Sequence, residues 1–562
     1  MPPEKRIELL DVSAFSYEER VCAAALQGLI NRDGACVFLD YGIYDDPAAR
    51  RTNELFMDDE HWYGKYRDLL GNQDLNNLDY YCKEHGFVAA KVKDLAELVS
   101  RHEGKFKGYL VWDDALPDTI NLAAMLAGLD GLVPVSPQME DWARNSGLRK
   151  VDDLRGRWSD RVETYGWAFE YLFPRCKQGF AACLEPGWQR PEFLDYAVQN
   201  RLFIYNLGST VKGFGSTLLL LLSFGPPWLR ELIFALHLDG LLKRWGLAWM
   251  AARSPEVKLG NRIQRAVKAL PYPTLFGWHT KRDDELSFMF QLSANGLRLV
   301  PSHLAGNFSF HSRVKTLGDF KPDPLPEIEL DPLGTYVTFT LSDGDQLMMS
   351  NTTQLGSWRS PARGSAPFNW ECQPLLVDLA PALFERFTRT KTDQDCLIAG
   401  PSGAGYIVPP LARDFKAYMQ STAEVCRRAG IRVVTTYVAD PPRRVLRQLA
   451  AHKGDLLGFM SGYAVVSRAP QLLVNETPLI ANQIPLAAHI WDEPAQIFEK
   501  LDQLIQDPGS TARFIGLHLF AYRTTFEDVA EFIHKHDAEH LHFVRADEFL
   551  SAAKQYLITK RK

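Results

Sequence analysis

The 562-residue chain has no CxxC pair, no long apolar run and no excess of basic charge, and each absence closes off a class of protein. Its eight cysteines (Cys22, Cys36, Cys82, Cys176, Cys183, Cys372, Cys396 and Cys426) are dispersed, several of them inside apolar runs. Buried free thiols are therefore expected in place of a zinc site or a disulfide framework. The most apolar run, Leu218 to Phe224, is far too short to span a bilayer and is closed by Pro226 and Pro227, so no membrane partner is expected. Net charge is −6 with the basic residues scattered, which leaves no positive footprint for a phosphate backbone and excludes nucleic acid. The opening MPPEKRIELLDVSAF lacks the apolar core of a secretory signal. A cytoplasmic location is expected for the chain as it stands, with secretion open if a leader has been removed. What is present is 46% hydrophobic content over a length too great for one core. That combination implies full globularity over about three or four domains.

Helix and strand signals alternate. From Tyr17 to Arg32 apolar residues recur at helical spacing behind Ser13 or Ser16 as caps, and the strand-like ACVFLDYG follows. Strand signals at Tyr109 to Trp112 and Leu132 to Val135 flank a helix near Ile120 to Ala127, which predicts an α/β fold with a partly parallel sheet. The region between Phe224 and Leu270 is leucine- and arginine-rich, reads as amphipathic helix and suits core packing or contact between domains. Pro271 and Pro273 mark a boundary before a strand, a loop with Trp278 and His279, and a helix opened by Asp283, Asp284 and Glu285, acids expected to cap it. The sequel SHLAGNFSFHS places His303, Asn307 and His311 among aromatics. Lys321 to Gly334 is a proline-rich linker. Beyond it, strand-like runs occur at Tyr336 to Leu341, Cys396 to Ala399, Val433 to Val438, Leu456 to Met460, Phe514 to Phe520 and Leu541 to Val544, with helical runs between most of them. This predicts a distorted (β/α) barrel with its site at the C-terminal strand ends. The expected division is an N-terminal α/β subdomain over 1–150, a helix-rich subdomain over 151–270, a small α/β subdomain over 271–320 and the barrel over 331–562.

Gly400 to Pro410 reads GPSGAGYIVPP, the composition of a strand emptying into a stiffened, site-forming loop that displays Tyr406. Within it GAGYIVP, Gly403 to Pro409, resembles the signature of the GxGYxYP family, whose members are described as putative glycoside hydrolases. YVTFTLSDGDQ (Tyr336 to Gln346), RGSAPFNW through DLAP (Arg363 to Pro381), FIGLHLFAYRTTFEDV and FVRADEFL resemble the same family in the same order. The likeness covers roughly the last two fifths of the chain well and the rest more loosely. One position departs from the signature, Val408 standing where the family has its second tyrosine. The resemblance brings no assigned catalytic residues with it.

Cleaving a glycosidic bond commonly takes two carboxyl groups, one to protonate the leaving oxygen and one to act as base or nucleophile. Asp343 and Asp345, on the SDGDQ turn after the first barrel strand, are the leading catalytic candidates, and they could instead share a divalent cation or bind one sugar. Asp440, at the end of VVTTYVA, is a third candidate, with a helix cap as the other reading. Trp370 and Tyr406 are expected under a sugar ring, and His518 and Arg523 against substrate or a catalytic carboxylate; core packing and surface exposure are the competing readings. His303, Asn307 and His311 could bond sugar hydroxyls or satisfy a loop. Asp113, Asp114, Asp492, Glu493, Asp547 and Glu548 read as turn and capping acids, although strand-end roles stay open for the first four. GSTVKGFGST has the glycine spacing of a phosphate loop but Phe214 stands where its lysine belongs, which excludes nucleotide binding. The expectation is a glycoside hydrolase-like enzyme without a resident cofactor, acting on an oligosaccharide or polysaccharide. Two alternatives remain. One is a metal-dependent carbohydrate deacetylase-like hydrolase, for which the HxxxH of His536 and His540 is badly placed; the other is a non-catalytic carbohydrate-binding protein.

Overall fold

The computed structural model describes residues 5–43, 71–187, 193–347, 358–437, 443–449, 456–463 and 471–561, apart from isolated positions within them. Three small parallel sheets come first. In one, β1 (Lys5–Asp11) lies between β2 (Val37–Asp40) and β3 (Phe87–Val92). In the next, β4 (Gly108–Val111) lies between β5 (Leu132–Val135) and β6 (Lys150–Asp153). The third orders β7 (Phe180–Cys183), β8 (Phe203–Tyr205), β9 (Thr274–Gly277) and β10 (Arg298–Pro301) as β10-β9-β7-β8. The boundary expected at residue 270 therefore falls inside a sheet, because β7 pairs with β9 from Phe180↔Thr274 to Cys183↔Gly277. The expected first subdomain conversely holds two sheets.

The first helix, Tyr17–Ile30, begins where its sequence says it should. Ser16 accepts the Glu19 N–H while the Glu19 carboxylate accepts the Ser16 N–H. Every residue from Val21 to Ile30 is buried, so small side chains such as Ala23, Ala24 and Ala25 let it thread between layers of the core.

The fourth sheet is built from β11 (Thr335–Leu341), β12 (Phe368–Cys372), β13 (Asp395–Ala399), β14 (Val433–Thr436), β15 (Gly458–Ser461), β16 (Gln471–Val474), β17 (Thr477–Ala481), β18 (Arg513–Leu519) and β19 (Leu541–Phe543). Its order is β16-β17-β15-β14-β13-β12-β11-β18, with β19 also on β11, and all its pairings except the β16–β17 hairpin are parallel. The sheet curls until the segment leaving β17 meets the far edge: Ile484 forms a parallel bridge with Leu517, the His518 N–H reaches the Ile484 carbonyl at 3.0 Å, and the Ile484 N–H reaches Gly516 at 3.2 Å. This is a distorted (β/α) barrel. All seven residues of β11 and all five of β12 are buried, as a parallel sheet covered on both faces requires. Among the described residues no helix is long and apolar enough to cross a membrane.

The glycine-rich loop joins the barrel to the third sheet. Tyr406 and Leu299 exchange backbone hydrogen bonds of 2.6 and 2.9 Å, so the loop adds itself to the edge of β10. Beneath this seam the buried Arg298 donates to Thr274 Oγ1 at 2.8 Å, Ser421 Oγ at 2.9 Å and the Ala404 carbonyl at 3.1 Å. Gly405 has φ +93°, and a Cβ there would lie 2.8 Å from Arg298 Cδ, so both backbone shape and space demand glycine.

Candidate active site

At the C-terminal end of β11 the chain turns through Ser342, Asp343 and Gly344. Asp343 is held at φ +63°, a left-handed conformation that is uncommon outside glycine and that aspartate tolerates better than most residues. The turn is pressed against β12: a Cβ on Gly344 would come 1.8 Å from the Glu371 carbonyl oxygen. Ser342 Oγ donates to Asp343 Oδ2 at 3.0 Å, and the Asp343 N–H donates to the Tyr463 hydroxyl at 3.3 Å. Burial lifts the Asp343 carboxyl to about 6; the Ser342 hydroxyl pulls it back, and the nearby Glu371 charge adds a smaller upward push. Its side chain keeps partial access to water. Asp345 is only 4% exposed, and burial followed by the charges of Asp343, Glu371 and Glu285 pushes its carboxyl well above the usual range.

Two acids complete this group. Glu371, fully buried near the end of β12, accepts the Tyr463 hydroxyl at 2.7 Å and the Thr435 hydroxyl of β14, and its Oε1 lies 3.2 Å from His518 Nε2 of β18. Space for this cluster comes from Gly400, where a Cβ would stand 2.0 Å from Thr435 Oγ1 and 2.2 Å from Glu371 Oε1. Glu285 comes from the other half of the chain, at the first turn of the helix Glu285–Asn295 that follows β9. Its Oε1 accepts the Tyr406 hydroxyl at 3.2 Å. The protein surrounding it, then the Asp343 charge, lifts it to about 7, although the residue stays open to water, which screens part of that push. Tyr406, Tyr437 and Tyr463 stand in a row with ring centroids 5.5 and 5.4 Å apart, and Tyr463 meets His518 edge-on at 4.5 Å. Four carboxyls and three phenols thus share one end of the barrel.

Of the residues singled out in the sequence, Asp343, Asp345, Tyr406 and His518 meet here. Asp440 lies outside the described residues. Trp370 is not a stacking platform: it is 1% exposed, its indole N–H donates to Asp395 Oδ1 at 2.8 Å, and its ring is wedged against Trp358, Phe368 and Phe526. Asn307 and His311 are also corrections, both sealed in the core. Asn307 accepts from Gln27 and from the Leu39 N–H at 2.7 and 2.8 Å and donates to the Leu39 carbonyl at 2.9 Å, and His311 meets the Tyr81 hydroxyl at 2.6 Å. His303 packs on Trp278 at 5.1 Å and is held neutral by burial, which lowers it to about 3. Arg523 donates to the Trp491 carbonyl at 2.8 Å and lies 3.3 Å from Glu493, fixing the loop before the helix Pro494–Ile505. The loop after β8 is satisfied from within, since the N–H groups of Gly208, Ser209 and Thr210 already donate to Glu256 and Asp283. Among the described residues, the site's carboxyls and imidazole form no group of three within 4.8 Å, so the Asp343–Asp345 turn presents no gathered cation cage.

Two profile matches sit on this architecture. Residues 334–554 match the GxGYxYP putative glycoside hydrolase C-terminal domain, and residues 106–176 match the second domain of the GxGYxYP N-terminal region. The chain belongs to the GxGYxYP family. It also superposes on the crystal structure of a putative hydrolase from Bacteroides thetaiotaomicron VPI-5482 with a TM-score of 0.73, over 99% of this chain and 95% of that one, at 18% identity. That likeness is one of fold. No curated protein matches the chain. In GxGYxYP terms, the tyrosine kept here as Tyr406 is the one that reaches the carboxyl group, while Val408 is 4% exposed with its N–H on Ser293 Oγ at 2.9 Å, closed into the seam between the halves. Glu285 falls outside both matched segments. Neither it nor Glu371 was singled out by motif. An acid inside the otherwise apolar PFNWEC strand was the available signal for Glu371, whereas Glu285 looks like any helix-opening acid.

Proposed function

We propose that this GxGYxYP protein hydrolyses a glycosidic bond in an oligosaccharide or polysaccharide, with Glu285 as general acid and Asp343 as base or nucleophile. The observation that carries this reading is a pair of water-accessible carboxyls, one from each half of the chain, lifted to about 7 in Glu285, where the Asp343 charge adds to the effect of burial, and to about 6 in Asp343. Such a split lets one group hold a proton while the other is charged, which is what protonating a leaving oxygen and assisting attack at the sugar carbon require. Tyr406 steadies Glu285 once it has given up its proton. Glu371 has both oxygens occupied by hydroxyls and the His518 imidazole beside it, so it positions the Tyr463 side of the site. The tyrosine row offers faces for pyranose C–H groups and hydroxyls for sugar oxygens.

The test is a screen of oligosaccharides for newly released reducing ends, with and without chelator. Turnover by the wild type that is lost in Asp343→Asn and in Glu285→Gln, and is indifferent to chelator, supports the assignment. Full activity in Asp343→Asn overturns it. Saccharide binding without turnover in any variant would make the protein a binding module, and chelator-sensitive release of acetate would move it to the deacetylases.

A further inference from the structure

A second cluster of chemically capable side chains lies on the first sheet, outside the carboxylate site. One ligand atom each of Glu8, Cys36 and His102 falls within 4.8 Å of the others. Three separate pieces of chain deliver them. Glu8 sits mid-way along β1 opposite Val37, Cys36 immediately precedes β2 with its carbonyl accepting the Glu8 N–H at 2.8 Å, and His102 ends the helix Leu95–Arg101. His102 Nε2 lies 2.7 Å from Glu8 Oε2, and all three residues are half-buried.

The geometry points to a divalent-cation site formed by Glu8, Cys36 and His102 and suited to zinc. A thiolate, an imidazole and a carboxylate make the mixed sulfur, nitrogen and oxygen set that this borderline-soft ion takes. Donor atoms around a tetrahedral zinc stand about 3.4–3.6 Å apart, given its usual bond lengths. The 2.7 Å contact between His102 and Glu8 must therefore open by less than about 1 Å, and Cys36 already lies within reach by side-chain rotation. Binding expels the thiol proton to solvent, and the charges of Cys36 and Glu8 then balance the ion, with the fourth position left to water. The nearby cations have other partners: Arg101 lies 3.4 Å from Glu8 Oε1 but 2.7 Å from Glu97, and Lys105 pairs with Asp33. The ion would tie β1, the start of β2 and the end of the following helix into one unit.

Untagged full-length protein, stripped by chelator, would be titrated with cobalt(II) and then zinc. One ion per chain is expected, with a near-ultraviolet thiolate-to-cobalt band that zinc abolishes, that is missing in Cys36→Ser and that is at least ten times weaker in affinity in His102→Ala. On the wild type alone, zinc should slow modification of one thiol by a disulfide reagent at least tenfold, and mass mapping should place that thiol at Cys36. Asp343→Asn should bind cobalt as the wild type does. No stoichiometric ion, a band that survives in Cys36→Ser, or protection that maps to Cys82 would overturn the proposal.

Discussion

Asp343→Asn isolates one charge and should make the protein more stable while destroying its chemistry. Asparagine matches aspartate in shape and is among the residues best suited to φ +63°, so the backbone turn should not change. What disappears is the cost of ionising a carboxyl lifted from 3.8 to about 6 by burial and by Glu371. The direction follows from linkage. A carboxyl whose folded pKa lies above its unfolded value favours the native state fully below about 4, and that contribution is lost as pH rises through about 6. That lift is worth ~3 kcal/mol at most, less whatever the partial access of Asp343 to water screens out. For a unit the size of the barrel this is a rise of about 5–10 °C in its transition. Thermal unfolding of wild type and variant at pH 4, 6 and 8, followed by calorimetry, is the assay. The gap should be small at pH 4, most of its final size at pH 6 and full at pH 8. A variant that is no more stable than wild type at pH 8, or a gap that does not change with pH, would refute the reading of Asp343 as a strained, electrostatically opposed carboxyl.

Activity against the right saccharide should follow a narrow bell between limbs near 6 and 7, the values for Asp343 and Glu285, with a maximum near pH 6.5. Tyr406→Phe removes the hydroxyl that favours charged Glu285, so the alkaline limb of kcat/KM should move up by about 0.5–1 pH unit, and a downward move would contradict the assignment. Gly400→Ala drives a methyl group into Thr435 and Glu371 and should cost about 2–3 kcal/mol of stability together with most of the activity, measured by thermal unfolding and by turnover of the folded fraction. Asn307→Ala strands buried partners at Leu39 and Gln27 and should cost about 2–4 kcal/mol while leaving saccharide affinity of the folded protein unchanged; a selective loss of affinity would return Asn307 to the substrate site.

The barrel was legible where strands are apolar and uninterrupted. Tyr336 to Leu341 and Phe514 to Phe520 lie within a residue of β11 and β18. β12 was harder to see, since Asn369 and Glu371 break its apolar pattern. They are tolerated because Asn369 bonds Thr338 Oγ1 at 2.8 Å and the Ala546 N–H at 2.7 Å, and Glu371 collects hydroxyls. Such polar groups look like loop residues until their partners, which are remote in sequence, are known. The same blindness misled the reading of Asn307, His311 and Trp370: polar and aromatic types suited to sugar are equally suited to a bonded core. The GPSGAGYIVPP stretch was recognisable as a shaped loop presenting Tyr406, but that its backbone would pair with Leu299 depends on tertiary docking. Glu285 shows the limit most clearly, because nothing local separates an acid that opens a helix from one that also faces a second domain.

The pairing of Tyr406 with Leu299 has a consequence for how the molecule can be divided. The proposed acid and base belong to two separately woven parts, and the Tyr406–Leu299 backbone pair, with the Arg298 and Val408 bonds beside it, joins those parts. The barrel, cut free at the proline-rich linker, would carry the family's name and most of its recognisable sequence yet hold only one of the two proposed carboxyls. Catalysis would then be a property of the joint, and a loosening of that seam would idle the protein without touching a single reacting atom.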